Sequence, residues 1–228
     1  MSAWAIVAAA GEGSRLGGGP KAFVTLGGFP MLAHPLAAFA KSSVDGIVVV
    51  IPRGFEREAE EVVASAAPST RIEIVHGGGS RQSSVRAGLV ALPVEVDRAV
   101  VHDAARPLIT VGMIEAVLAA LEDAPGAIVA VPERDTLKRA GRGTIEETVP
   151  RAGLFRAQTP QAFRVDILRI AHDRAVADGF EATDDSMLLE RIGERVVIVP
   201  GDERNLKVTS PEDLALAEAL LSTSWGRS

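Results

Sequence analysis

From position 7 to position 21 the chain reads Val-Ala-Ala-Ala-Gly11-Glu-Gly13-Ser-Arg15-Leu16-Gly-Gly-Gly-Pro20-Lys21. Glycines let the main chain approach a phosphate closely and turn its N–H groups toward it. Arg15 adds a forked cation and Lys21 a compact one. Two common phosphate loops do not match. A Walker A loop needs Gly-x-x-x-x-Gly-Lys-Ser/Thr, and that string does not occur. A dinucleotide fingerprint needs Gly-x-Gly-x-x-Gly opening a helix, but Leu16 stands at the third glycine position and Pro20 follows closely. A long, cationic, glycine-rich loop suits a triphosphate better than a dinucleotide. A plain connection between elements seldom needs five glycines and two cations.

Such a loop needs a scaffold, and the flanking pattern supplies one. Apolar, β-branched runs at residues 4–9, 46–51, 71–75, 98–102, 127–131 and 196–199 predict strands. Most are apolar throughout, the pattern of strands covered on both faces. Between them, residues 30–40, 56–66, 80–91, 112–122, 165–178 and 211–221 predict helices. The last has a clear start, with Ser210 as N-cap, Pro211 at the first helical position and Glu212 and Asp213 in the first turn. Regular strand–helix alternation implies an α/β fold, doubly wound around a mostly parallel sheet. In such sheets ligands sit beyond the carboxyl ends of the strands, which is where the glycine loop falls.

Residues 133–151 break the rhythm. They are polar and lack a helical period. Arg139-Ala-Gly-Arg-Gly143 reads as a turn between short strands at 136–139 and 144–149. By pattern alone this is equally a solvated excursion or an arm that packs on a second subunit. With no repeat and no linker, the expectation is one domain over residues 1–228 plus this arm.

Composition narrows the chemistry. The 228 residues carry 24 Lys+Arg against 30 Asp+Glu, a net charge of −6, which disfavours a broad grip on nucleic acid. No cysteine is present, so disulfides, thiolate metal sites and cysteine nucleophiles are excluded. No apolar run has the length to span a bilayer. The expectation is a soluble cytoplasmic protein that binds neither membrane nor nucleic acid.

Gly11-x-Gly13-x-Arg15 followed by Pro20-Lys21 resembles the signature loop of the sugar-nucleotide nucleotidyltransferases. Further strings narrow the match: Gly77-Gly-Gly-Ser-Arg81-Gln-Ser-Ser84, His102-Asp103-Ala-Ala-Arg106-Pro107, Asp135-Thr136-Leu-Lys138, Gln158-Thr159-Pro160-Gln161, Thr183-Asp184-Asp185 and Asn205-Leu-Lys207-Val-Thr209. In this order, over nearly the whole chain, they resemble the 2-C-methyl-D-erythritol 4-phosphate cytidylyltransferase family of the non-mevalonate isoprenoid pathway. The resemblance implies a Rossmann-like nucleotidyltransferase fold and a homodimer whose β-hairpin arms interlock. It also implies transfer of the cytidylyl group of CTP to methylerythritol phosphate, with Mg²⁺ as cofactor. Phe23 stands where members often carry tyrosine, and Gly19 where a cysteine is common.

The resemblance assigns residues. Arg15 and Lys21 become the catalytic cations around the α-phosphate and the leaving group. Ala9, Ala10, Gly11 and Gly13 line cytosine and phosphates with their main chain. Gly78, Arg81 and Ser84 form a second nucleotide-facing segment. Asp103 is the leading Mg²⁺ ligand, since this ion keeps its waters and takes triphosphate oxygens with one or two protein ligands. Asn205 is the second. Lys207, Arg151, Thr183 and Arg106 face the polyol phosphate, joined by Asp135 and Thr136 from the opposite subunit's arm. Blander roles stand beside these: a turn or cap for Asp103, a surface charge for Arg81, and a hairpin-base ion pair for Arg151.

Two other functions share these features. A ribitol-5-phosphate cytidylyltransferase differs only in its acceptor pocket. A non-catalytic CTP-binding module predicts binding without turnover, and has no need for Arg15, Lys21, Asp103 and Lys207 together.

Overall fold

The computed structural model describes residues 1–11 and 19–224. The chain runs β1 (Ala3–Ala8), β2 (Thr25–Leu26), β3 (Phe29–Pro30), α1 (Ala33–Phe39), β4 (Gly46–Ile51), α2 (Glu56–Ala66), β5 (Ile72–His76), α3 (Arg81–Ala91), β6 (Arg98–Asp103), α4 (Val111–Ala119) and β7 (Gly126–Pro132). It continues through β8 (Leu137–Gly141), β9 (Thr144–Val149), β10 (Phe155–Arg164), α5 (Val165–Ala177), α6 (Asp185–Arg191), β11 (Val196–Pro200) and α7 (Pro211–Ser224).

Seven strands form one sheet in the order β11-β7-β10-β6-β1-β4-β5. All pairings are parallel except those of β10, which runs antiparallel to both β6 and β7. Apolar residues cover both faces because successive strand side chains point to opposite sides. From β1, Ala5 and Val7 pack with Leu36 and Phe39 of α1 and with Ile114 and Val117 of α4. Trp4 and Ile6 pack the other way, with Val85 and Leu89 of α3 and Leu168 of α5. This is the doubly wound arrangement that uniformly apolar strands predict. Gly46 leaves room for it: a Cβ there would lie 2.6 Å from the Trp4 indole.

β10 is the strand that periodicity does not reveal. Its register slips between Ala157 and Gln161, so Gln158, Thr159 and Pro160 leave the regular ladder with β7. A bulge of this kind re-aims side chains and lets a sheet accept proline. The Thr159–Pro160 peptide bond is cis.

β8 and β9 pair only with each other in a two-stranded ribbon. Gly141 pairs with Thr144, which leaves Arg142 and Gly143 as a two-residue loop with φ of 50° and 80°. Two positive φ values define the turn that best matches the twist of a hairpin. Most of its residues are exposed, including Ile145 at 61%. No helix among the described residues is long and apolar enough to cross a membrane.

Candidate active site

The carboxyl ends of β1, β5 and β6 surround a cavity of about 470 Å³. Gly11 and Lys21 line one side, the segment from Gly78 to Arg81 another, and Asp103 and Lys207 the floor. Arg15 and Gly13 lie outside the described residues.

The wall formed by residues 77–84 depends on close approach. A Cβ on Gly77 would lie 2.4 Å from the Ala10 Cβ and 2.7 Å from Ser84 Oγ. The next turn starts α3 with reciprocal bonds: Ser80 Oγ accepts from the Ser83 N–H at 3.2 Å, and Ser83 Oγ accepts from the Ser80 N–H at 2.9 Å. The unpaired N–H groups of a helix start favour a nearby anion. Ser84 Oγ, at the cavity wall, accepts from the Gly78 N–H at 3.2 Å and donates to the Ser80 carbonyl at 2.8 Å.

Asp103 ends β6 with a side chain 11% exposed. Lys207 Nζ donates to its Oδ2 at 2.7 Å and Arg81 Nε to its Oδ1 at 2.9 Å. Burial alone would raise the carboxyl pKa, but these two cations outweigh it and hold Asp103 well below the usual carboxylate range. Burial likewise opposes the charge on Arg81, and the Asp185 and Asp103 carboxylates outweigh it and keep the guanidinium protonated.

Behind Asp103 the bulge of β10 is tied to β6. Thr159 Oγ1 accepts from the Asp103 N–H at 3.1 Å and meets His102 Nδ1 at 3.0 Å. His102 Nε2 lies 3.0 Å from the Arg106 carbonyl, which can only accept, so Nε2 carries the proton and Nδ1 accepts from Thr159. Burial pulls the His102 pKa down to about 4 and keeps the ring neutral.

A second, smaller cavity of about 200 Å³ adjoins the first. It is lined by Arg106, Thr159, Thr183 and Asp184, and it shares Arg81, Asp103 and Lys207 with the larger one. The three shared residues form the boundary between the two spaces. Arg106 also ties the loops together, donating to the Asn205 carbonyl at 2.8 Å and the Ala157 carbonyl at 3.2 Å.

Ala10, Gly11, Lys21, Gly78, Arg81, Ser84, Asp103 and Lys207 thus meet at the larger cavity, and Arg106 and Thr183 at the smaller. Five expected residues line neither cavity. Ala9 is buried, its N–H donated to the Val50 carbonyl at 2.8 Å; strand alternation turns it into the core, and Ala8 and Ala10 line the cavity instead. Asn205 is fully buried, and its Nδ2 donates to the Thr159 carbonyl at 2.9 Å and to Gln158 Oε1 at 3.3 Å. Its side chain braces the β10 bulge and lines neither cavity, while its Oδ1 accepts no hydrogen bond from the described residues. Asp135, Thr136 and Arg151 are exposed at the arm and its base, away from both cavities of their own chain. Arg151 donates from Nη1 to the Arg134 carbonyl. Phe23, where a tyrosine is common, stacks on Phe55 with ring centroids 5.2 Å apart, a contact that needs no hydroxyl.

Among the described residues no group of three or more His, Asp or Glu side chains could hold a metal ion. A single carboxylate at the cavity floor nevertheless fits Mg²⁺ with a triphosphate, which needs one or two protein ligands. Each Asp103 oxygen accepts one of the two hydrogen bonds from Arg81 and Lys207, and a carboxylate offers about four lone-pair positions in all, so capacity remains.

A doubly wound sheet with a cationic cavity at its strand ends, joined to a small polar cavity, fits a nucleotidyltransferase. The family model for 2-C-methyl-D-erythritol 4-phosphate cytidylyltransferase (IspD) matches residues 3–223, and the chain belongs to that family. An enzyme of that name from Geobacter metallireducens is 45% identical over 229 residues, covering 97% of this chain and 98% of the relative. One from Cereibacter sphaeroides is 47% identical, covering 99% and 100%. Among solved structures, the 2-C-methyl-D-erythritol 4-phosphate cytidylyltransferase of Thermus thermophilus superposes with a TM-score of 0.81 at 34% identity, covering 97% of this chain and 100% of that one.

Proposed function

We propose that the chain transfers the cytidylyl group of CTP to 2-C-methyl-D-erythritol 4-phosphate, releasing pyrophosphate, as a step of isoprenoid precursor synthesis. The observation that carries this reading is the pair of adjoining cavities with Arg81, Asp103 and Lys207 on their common boundary. CTP occupies the larger cavity and the polyol phosphate the smaller, which brings the two reacting phosphates to that boundary.

The chemistry needs no protein nucleophile. An oxygen of the acceptor's 4-phosphate attacks the α-phosphorus of CTP, a new O–P bond forms, and the bond to the β-phosphate oxygen breaks. The side chains hold both anions in line and neutralise charge on the phosphoryl oxygens. Lys21 faces the triphosphate, with Arg15 as its expected companion. Lys207 and Arg106 face the acceptor, with Thr183 as a polar contact. Gly78 and Ser84 lie along the nucleotide wall.

Mg²⁺ fits as cofactor, with Asp103 as its protein ligand. When bound, the ion neutralises triphosphate charge. Asp135, Thr136 and Arg151 are read as serving a partner's acceptor site in a homodimer; their exposure on the arm and its base, outside both cavities of their own chain, supports that reading. A cytoplasmic enzyme acting on these small phosphorylated substrates fits the composition.

The test is pyrophosphate release from CTP with each acceptor in parallel. Turnover with methylerythritol phosphate is the expected result. Turnover with ribitol 5-phosphate alone would overturn the assignment, and CTP binding without turnover on either acceptor would leave a binding module.

A further inference from the structure

Arg81 is gripped from two sides by two different N–H groups. Nε donates to Asp103 Oδ1 at 2.9 Å, and Nη1 donates to Asp185 Oδ2 at 2.7 Å. Asp185 is the first residue of α6, and its side chain is 1% exposed. Its other oxygen, Oδ1, faces Nε2 of His172 on α5 at 3.1 Å, and His172 is also 1% exposed. His172 Nδ1 has no hydrogen-bond partner among the described residues. Neither Asp185 nor His172 lines the nucleotide cavity or the acceptor cavity.

A carboxylate this deep is expensive to desolvate, and apolar packing between α5 and α6 would hold the helices together at less cost. The Asp185 side chain is linked to the cavity boundary through Arg81. A guanidinium held by Asp103 alone can pivot about that single hydrogen bond. A second carboxylate on a different N–H fixes its plane.

We propose that Asp185, oriented by His172, is a positioning residue for nucleotidyl transfer: it holds the Arg81 guanidinium at the boundary where the nucleotide and acceptor cavities meet. The inference rests on the cytidylyltransferase reading above. The Thr183-Asp184-Asp185 string contains the residue, but nothing in its pattern points to Arg81.

The test is a double-mutant cycle of Asp185→Asn with Arg81→Ala, read as kcat/KM for CTP at saturating acceptor. Positioning through Arg81 predicts a loss of about tenfold or more for Asp185→Asn in the wild-type background, and less than about twofold once Arg81 is alanine. Equal losses in both backgrounds, or no loss in either, would overturn the proposal. A second pair covers a variant that does not fold. His172→Gln keeps an N–H donor near the position of Nε2 and is expected to keep most of the turnover; His172→Phe removes the donor and is expected to lose it. Equal rates for these two variants overturn the proposal as well. Wild-type turnover tests the assigned reaction separately. Hydrogen exchange at Arg81 Nη1–H, the group that Asp185 holds, needs no turnover: it is expected to be slow in the wild type and fast in Asp185→Asn, and slow exchange in both rejects the second grip.

Discussion

Asp103 and Lys207 lie 104 positions apart in the chain, and their side chains meet at 2.7 Å on the cavity floor. The contact joins the end of β6 to the segment after β11, and it sets an acidic group among cations in a site built for anions.

Asp103→Asn keeps the shape of the side chain and removes its charge. Turnover is expected to fall at least about a hundredfold, while CTP affinity changes by less than about tenfold, because the proposed Mg²⁺ ligand is lost and the cations remain. Steady-state kinetics beside calorimetric CTP titration reads both quantities. Unchanged turnover would remove Asp103 from the metal role.

Arg151 is exposed on its own chain, and the proposed homodimer sets it to work on the partner's acceptor. Arg151→Ala is expected to raise KM for methylerythritol phosphate by about tenfold with little change in KM for CTP. Co-expression of Arg151→Ala with Lys207→Ala chains gives mixed dimers in which one of the two sites is intact, so about a quarter of wild-type activity should return. No recovery means that Arg151 serves its own chain or only the base of the hairpin.

Gly77→Ala tests the close wall beside the nucleotide. The added methyl would meet Ala10 and Ser84 within 2.7 Å, so the segment at 77–79 must shift. KM for CTP is expected to rise by about tenfold, with a modest fall in melting temperature. A wild-type KM would show that the wall yields without touching the nucleotide.

His102 predicts a stability change with pH. Its folded pKa of about 4 lies below the unfolded value of 6.5, so between these values the unfolded chain binds a proton that the folded one does not. Stability is therefore complete above pH 6.5 and falls as pH drops through that window, by about 3 kcal/mol at most. Asp103 and Asp185, whose pKa values are lowered, lose their contribution further down, below 3.8. Denaturant unfolding from pH 7 to pH 4 in metal-free buffer should show the His102 slope in the wild type and lose it in His102→Gln. The same slope in both proteins would rule His102 out as its source.

Much of the architecture is legible in the sequence because uniformly apolar runs leave little choice. The strands at 4–9, 46–51 and 98–102 fall within a residue or so of β1, β4 and β6. The start of α7 is written in Ser210 and Asp213, whose side chains cap it as expected. β10 is not legible, because Gln158, Thr159 and Pro160 are polar or ring-locked residues within a strand, and only the bulge reconciles them with the sheet. The site divides the same way. Lys21, Arg81, Asp103 and Lys207 are legible in their strings and do meet. The bracing by Asn205 and the buried Asp185–His172 pair depend on contacts distant in sequence, which no local pattern encodes.

The arm and the cavity floor share one length of chain. β10 begins at Phe155, just past the base of the hairpin, and a few residues on it carries Thr159, whose hydroxyl takes the Asp103 N–H. A tug on the hairpin thus has one length of chain to travel before it meets the backbone that holds the Asp103 carboxylate. In the proposed homodimer, a partner that clasps the arm therefore holds the far end of a lever on that carboxylate.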